Sequence, residues 1–213
     1  MDGNNRWSIK NNKSKFYSYN KGASNLINLT NFLFNKTNIR YVTAFALSSS
    51  NLKRPKNLVN IILKLLDEFL DQSLNQSTYN FSIEFIGDLN FLGTNVKQKI
   101  KTLEFKTSKH KKKLTILINY SGRDDICYAL KAITKKNLNI NSKNISKYLM
   151  ISHLPDPDII IRTGGFKRIS DFSIFNTIFS EFFFTKILWP DFNIKNLSNC
   201  IKSYHKIERK FGL

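Results

Sequence analysis

LTILINY, residues 114–120, runs into SGRDDICYALKAITKK, residues 121–136. The first segment is an apolar run of strand length. It ends in small polar residues, and a helically spaced pattern follows. The same unit recurs on either side. RYVTAFAL (40–47) precedes a helical pattern at 56–75, and Phe81 to Ile86, closed by Gly87-Asp88, precedes one at 92–106. Asp158 to Arg162 and a short run, Glu181 to Thr185, read as further strands, with helices expected near 22–36, 143–150, 170–179 and 194–209. This alternation predicts an α/β fold with a mostly parallel central sheet covered by helices. Ligands of such sheets bind beyond the carboxyl ends of the strands. Ser48-Ser49-Ser50-Asn51, Asn119-Tyr120-Ser121-Gly122-Arg123 and Arg162-Thr163-Gly164-Gly165 all fall at those ends.

Composition sets the outer bounds. A chain of 213 residues, 41% hydrophobic, fits one sizeable α/β domain with a real core. Eighteen Phe exceed what an interior needs, so some should line an apolar space. The chain has no apolar run long enough to span a membrane and opens on no signal-peptide pattern. Cys127 and Cys200 have no metal-binding spacing and read as inert thiols in a reducing cytoplasm. The net charge of +19 invites a nucleic-acid partner. The lysines are scattered, however, apart from Lys109-His110-Lys111-Lys112-Lys113, and 26 Asn with much Lys and Ile match A/T-rich codons. Nucleic acid is therefore not expected, and anionic lipid headgroups suit the charge at least as well. The pattern at 56–75 is apolar around most of its circumference. It reads either as a helix sandwiched by neighbours or as one wall of an apolar tunnel, with Ala23, Leu26, Leu29 and Phe32 as another wall.

Two segments carry candidate chemistry. Met1-Asp2-Gly3-Asn4-Asn5-Arg6-Trp7 and Ile161-Arg162-Thr163-Gly164-Gly165 both set arginine near glycine. Glycine allows close backbone approach to an anion, and guanidinium supplies a planar fork of donors. Asp2 can hold Mg2+ together with phosphate oxygens. Arg6 can clamp a diphosphate, and Arg54, before Pro55 at a helix start, can reach the same anion. Arg162, Arg168 and Ser170 form a second anion-binding set. Glu181 lies among Ile178, Phe179, Phe182, Phe183 and Phe184, where a lone acid calls for a metal or arginine partner. His110, His153 and His205 sit in no triad-like or zinc-like context, and no phosphate-binding glycine loop of the nucleotide-binding kinds occurs.

In order, the chain carries Met-Asp-Gly-Asn-x-Arg-Trp, Ser48-Ser49-x-Asn51 with Arg54-Pro55, Asn119-Tyr120-x-Gly122-Arg123-x-Asp125-Ile126, Ile161-Arg162-Thr163-Gly164-Gly165-x-x-Arg168-Ile169-Ser170, and Leu188-Trp189-Pro190-Asp191-Phe192. Across nearly its whole length it resembles the cis-prenyltransferases, closest to bacterial undecaprenyl diphosphate synthases. The resemblance implies a Mg2+-dependent homodimer with a parallel sheet and an apolar prenyl tunnel. Its reaction would condense isopentenyl diphosphate onto an allylic prenyl diphosphate with cis double bonds, making undecaprenyl diphosphate as a cell-wall lipid carrier delivered to the membrane. It would work in the cytoplasm, peripherally at the membrane. By the same resemblance, Asp2 and Glu181 serve the metal. Gly3, Asn4, Arg6 and Arg54 hold the allylic diphosphate, with Trp7, Lys15 and Tyr19 beside it. Arg162, Arg168 and Ser170 hold isopentenyl diphosphate, while Ser48 and the catalytic candidate Asn51 lie near the proton that is lost.

Several positions depart from the family pattern. Lys15 replaces an arginine, Tyr19 a histidine, Phe166-Lys167 a Glu-His pair, and Ser50 and Leu52 a Glu and a Trp. Lys210-Phe211-Gly212 approximates a C-terminal Arg-x-Gly signature. Residues 1–213 read as a single domain lacking the family's usual first strand, which is expected to be encoded upstream of Met1. These departures keep an alternative open, a non-catalytic subunit of the same family that supports a partner.

Overall fold

The computed structural model describes residues 1–53, 55–75 and 79–209. They form α1 (Asn4–Lys10), α2 (Lys15–Lys36), β1 (Tyr41–Ser48), a 3-10 turn (Ser49–Lys53), α3 (Lys56–Asn75), β2 (Ser82–Ile86), α4 (Thr94–Thr107) and β3 (Lys113–Tyr120). α5 (Gly122–Lys135), α6 (Ser142–Tyr148), β4 (Ile159–Arg162), β5 (Glu181–Phe184), a 3-10 turn (Trp189–Asp191) and α7 (Ile194–Tyr204) follow. Every strand pair is parallel, as the alternation predicts. The strands form two sheets, β1-β3-β2 and β4-β5.

The chain divides into two compact units. One gathers Ile39–Pro155 and Ser170–Asn176. At its centre β3 buries Leu114, Thr115, Ile116, Leu117 and Ile118 in succession, the signature of a strand covered on both faces. Leu117 and Tyr120 pack with Ala129 of α5 and with Leu149 and Ile151. β2 is the edge of this sheet, and α4 covers it with two side chains one turn apart. Ile83 N donates to Thr107 Oγ1 (3.0 Å) and Phe85 N to Glu104 Oε1 (2.8 Å). Edge N–H groups that would otherwise recruit another strand are thereby satisfied. Gly87 ends β2 at φ 133, and a Cβ there would fall 1.9 Å from the Ile118 carbonyl oxygen, so only glycine fits. The β1–β3 register slips between Phe45 and Leu47 and again before Ser48, which re-aims the end of β1.

The other unit gathers Met1–Asn38, Asp156–Ile169 and Thr177–Leu213. Ser14 caps α2 by accepting from Tyr17 N (3.1 Å). The Leu188-to-Phe192 motif is fastened to α2. Trp189 Nε1 donates to Gly22 O (2.8 Å), and Asn25 Nδ2 donates to Trp189 O (3.0 Å) and Phe192 O (2.6 Å). On β5, Phe182 and Phe184 stack at 6.0 Å on an exposed face, with Ile178 and Phe179 exposed just before them.

Several expectations are corrected, among them the start of α2, which lies at Lys15 and not near residue 22. The helix expected at 170–179 does not form. Ser170, Asp171 and Ser173 all take positive φ, which no right-handed helix tolerates, and Asp171 O accepts from Gly122 N (2.7 Å). The segment after Asp2, read only as a binding motif, is the helix α1. α7 also stops at Tyr204, short of residue 209. Among the described residues no helix is long and apolar enough to cross a membrane.

Candidate active site

Asp2 is held by its backbone before its side chain does anything. Its N–H donates to Thr163 Oγ1 and the same hydroxyl donates to Asp2 O, both at 2.9 Å, while Trp189 N also donates to Asp2 O (3.0 Å). Thr163 is 1% exposed, so this clamp is dry. The Asp2 carboxylate bridges two arginines 156 positions apart. Arg6 Nη2 lies 3.3 Å from Oδ1 and Arg162 Nη2 lies 3.1 Å from Oδ2. Arg162 Nη1 donates in turn to the Arg168 carbonyl.

The loop after β4 makes this convergence possible. Gly164 has φ 86, and a Cβ there would lie 2.5 Å from Arg6 Nη2. Gly164 N and Gly165 N donate to Ile187 O and Thr185 O, both at 2.8 Å. Phe166 then places its ring against all three guanidiniums, 4.0 Å from Arg168, 4.8 Å from Arg6 and 5.8 Å from Arg162. Three cations thus gather on one carboxylate and one aromatic face.

The other expected site residues fall around these elements. Gly3 (φ 114) turns the chain into α1. Asn4 faces α2, with its Oδ1 against Gly22 and its carbonyl accepting from Ser18 Oγ (2.6 Å). Trp7 is buried and stacks on Tyr17 at 6.1 Å. Lys15 is exposed at the first position of α2, and Tyr19 is half-buried one turn on. In the sheet unit, buried Ser48 ends β1. Its hydroxyl bonds Ser50 Oγ (2.8 Å) and accepts from Asn51 Nδ2, so these three residues form one network. Ser170 belongs to that unit as well, in the left-handed run described above. Glu181 opens β5, half-exposed, and makes no ion pair among the described residues. Arg54 lies outside the described residues. A cavity of about 280 Å3 beyond the ends of β2 and β3 is lined by Asp88, Asn119, Tyr120, Ser121, Asp124 and Met150. Its lining mixes polar groups with the apolar surface of residues such as Tyr120 and Met150.

Among the described residues no three acids, histidines or cysteines gather as a metal-binding group. Among the described residues, Asp2 is the only carboxylate paired with these arginines. One carboxylate suits a Mg2+ that draws its remaining ligands from phosphate oxygens and water, so the donor set fits a metal that arrives with its substrate.

Comparison with known proteins shows the family. The family model described as "Putative undecaprenyl diphosphate synthase" matches residues 1–212. This chain belongs to the undecaprenyl diphosphate synthase family. An isoprenyl transferase of Helicobacter pylori is 37% identical, with all of this chain covering 94% of that protein. The ditrans,polycis-undecaprenyl-diphosphate synthase ((2E,6E)-farnesyl-diphosphate specific) of Micrococcus luteus is 32% identical, with 100% of this chain covering 88% of it. Among solved structures, lavandulyl diphosphate synthase from Lavandula x intermedia in complex with dimethylallyl diphosphate superposes with a TM-score of 0.90 at 25% identity, covering 100% of this chain and 95% of that one. A probable undecaprenyl diphosphate synthase from Campylobacter jejuni gives a TM-score of 0.81 at 32% identity, covering 91% and 92%. The relatives are isoprenyl transferases, and that supports an enzyme.

Within the undecaprenyl diphosphate synthase frame, sequence reasoning gave Thr163 no role, although it stands inside the Arg-Thr-Gly-Gly motif. The signal available was its type, a hydroxyl beside the anion-binding arginine. It also passed over Asp125, which is 2% exposed. Its carboxylate accepts from Tyr120 Oη (2.7 Å) and Met150 N (2.6 Å). Burial raises the Asp125 pKa, and these two hydrogen bonds oppose it.

Proposed function

We propose that this chain condenses isopentenyl diphosphate onto an allylic prenyl diphosphate with cis double bonds, with undecaprenyl diphosphate as its product and Mg2+ as its cofactor. The observation that carries the reading is the convergence of Arg6 and Arg162 on the Asp2 carboxylate. Arginines from the two ends of the sequence meet where two diphosphates would have to lie together.

In this reaction the allylic C–O bond breaks, and its electron pair leaves with the diphosphate. The alkene of isopentenyl diphosphate adds to the carbon cation, and a proton is then lost. Arg6, Arg162 and Arg168 are donors already in place for the departing charge, which is where preorganised electrostatics counts most. Asp2 occupies the guanidinium N–H groups while no substrate is bound, and gives them up to phosphate oxygens on binding. Mg2+ held by Asp2, with Glu181 assisting, would supply Lewis-acid stabilisation of the diphosphates. Ser48, Ser50 and Asn51 form one hydrogen-bonded network that contains no base, so the released proton passes to the departing diphosphate or to water.

The growing chain needs dry surface. On α3, Val59, Ile61, Ile62, Leu63, Leu66 and Phe69 are all short of full burial, which leaves apolar area for a ligand. Each five-carbon unit sheltered there would gain roughly 3–4 kcal/mol, at about 0.8 kcal/mol per carbon. The exposed Phe182–Phe184 face supports association with a second copy. A lipid product and a net charge of +19 suit work at the cytoplasmic face of a membrane rich in anionic headgroups.

Incubation with farnesyl diphosphate, labelled isopentenyl diphosphate and Mg2+, followed by chain-length analysis, tests the reading. Long labelled prenyl products are expected. A purified, folded protein that incorporates no label sinks it and leaves the non-catalytic subunit as the better account.

A further inference from the structure

Phe166 has no part in the chemistry above, yet its ring is the common neighbour of all three site arginines. The guanidinium carbons lie 4.0 Å (Arg168), 4.8 Å (Arg6) and 5.8 Å (Arg162) from the ring centroid, all within cation–π range. Core packing does not explain this placement, because the ring is 39% exposed. Three like charges at such spacing repel, and long arginine side chains left to themselves would spread into solvent. The Asp2 carboxylate draws in Arg6 and Arg162, at 3.3 and 3.1 Å. Arg168 makes no ion pair with it, and its guanidinium sits nearest to the ring.

The chemistry of the ring distinguishes it from a counter-ion. A second carboxylate would also hold arginines, but by taking up the N–H edges that a phosphate needs. An aromatic face attracts the flat side of a guanidinium and leaves its in-plane donors directed outward. Gly164 and Gly165, both at φ 86, turn the chain between β4 and Phe166 and so deliver the ring to this spot.

We propose that Phe166 is a positioning residue whose ring gathers Arg6, Arg162 and Arg168 into one preformed receptor for a diphosphate group. The proposal rests on the diphosphate reading of the site and adds the element that orders it before ligand arrives. Phe166 itself touches no reacting atom.

The test compares the full chain with Phe166→Leu and Phe166→Tyr. Inorganic pyrophosphate is titrated by calorimetry without metal at low salt, and the arginine Nε–Hε resonances are followed by NMR. Phe166→Leu is expected to weaken pyrophosphate binding about ten-fold, the size of one lost cation–π set. The ring-current shifts of the Arg6, Arg162 and Arg168 Hε signals should vanish with it. Phe166→Tyr, which keeps the π face, should bind within about two-fold of the parent and retain the shifts. In turnover, the loss in Phe166→Leu should fall on KM for the diphosphate substrates more than on kcat. Should Phe166→Leu melt early, Phe166→Met, of similar reach and without a π face, replaces it in the same titration. Equal affinity in the parent and the non-aromatic variant overturns the positioning role and leaves the diphosphate reading standing. A Tyr variant as impaired as the Leu variant also overturns it. A parent protein with no affinity for pyrophosphate overturns the diphosphate reading itself, and this proposal with it.

Discussion

Asp2 and Glu84 are both partly buried carboxylates that meet basic side chains, and the two units treat them in opposite ways. In the sheet unit, Glu84 on β2 accepts from Thr115 Oγ1 (2.7 Å), Lys113 Nζ (3.0 Å) and His153 Nε2 (2.9 Å). Burial alone would raise its pKa. The hydrogen bonds from Thr115, His153 and Lys113 outweigh that and lower it. There the anion is the scarce partner, and donors close around it. At Asp2 the carboxylate is outnumbered as well, but by permanent cations with N–H groups to spare: two arginines pair with it and a third lies beside them on the Phe166 ring. A closed network of the first kind holds a fold together. A cluster with surplus positive charge is held together by its surroundings and is ready to take an anion.

That contrast can be broken by mutation. The largest effect is expected from Asp2→Ala. Incorporation of labelled isopentenyl diphosphate should fall by on the order of 10³-fold, while the melting temperature moves only slightly. Undiminished turnover would mean that the cluster is structural after all. Arg162→Lys keeps the charge and loses the planar fork that reaches both Asp2 and the Arg168 carbonyl. A drop of about 100-fold in kcat/KM is expected from steady-state kinetics. Gly164→Ala puts a methyl group 2.5 Å from Arg6 Nη2 at a φ of 86. It should cost about 1–2 kcal/mol in chemical denaturation and raise KM about ten-fold.

Glu84→Gln should be the mildest for activity and should show itself in stability. The loss of charge-assisted bonds is expected to cost about 1–3 kcal/mol near neutral pH, with kcat retained. Because folding lowers the Glu84 pKa, its contribution is full above the unfolded carboxylate range, about 4.3, and disappears as pH falls through the folded value. Denaturation curves of parent and variant should therefore converge toward acid. If Glu84→Gln instead abolished turnover as Asp2→Ala does, the division of labour between the two carboxylates would be wrong.

Local pattern made much of the fold legible. The β3 segment buries every residue from 114 to 118, and its apolar run announces that directly. The expectation at 170–179 failed because apolar spacing does not report backbone sign. Ser170, Asp171 and Ser173 take positive φ, and Asp171 docks on Gly122 and Arg123 through tertiary contacts that no local pattern announces. At the site, the arginines and Asp2 were recognisable as residue types suited to phosphate and metal. Thr163 and Phe166 were not, since a hydroxyl clamp and a cation–π centre exist only through what they touch.

The order of the strands, most of the helices, the parallel pairing and the residue types of the candidate site followed from the sequence alone, because hydrophobic periodicity and donor chemistry are properties of short segments. Which charges meet did not follow. Asp2 and Arg162 are 160 positions apart, and only the folded backbone brings them to 3.1 Å. Electrostatic attraction acts through space, and the same arginines spread over the surface would have had the same sequence.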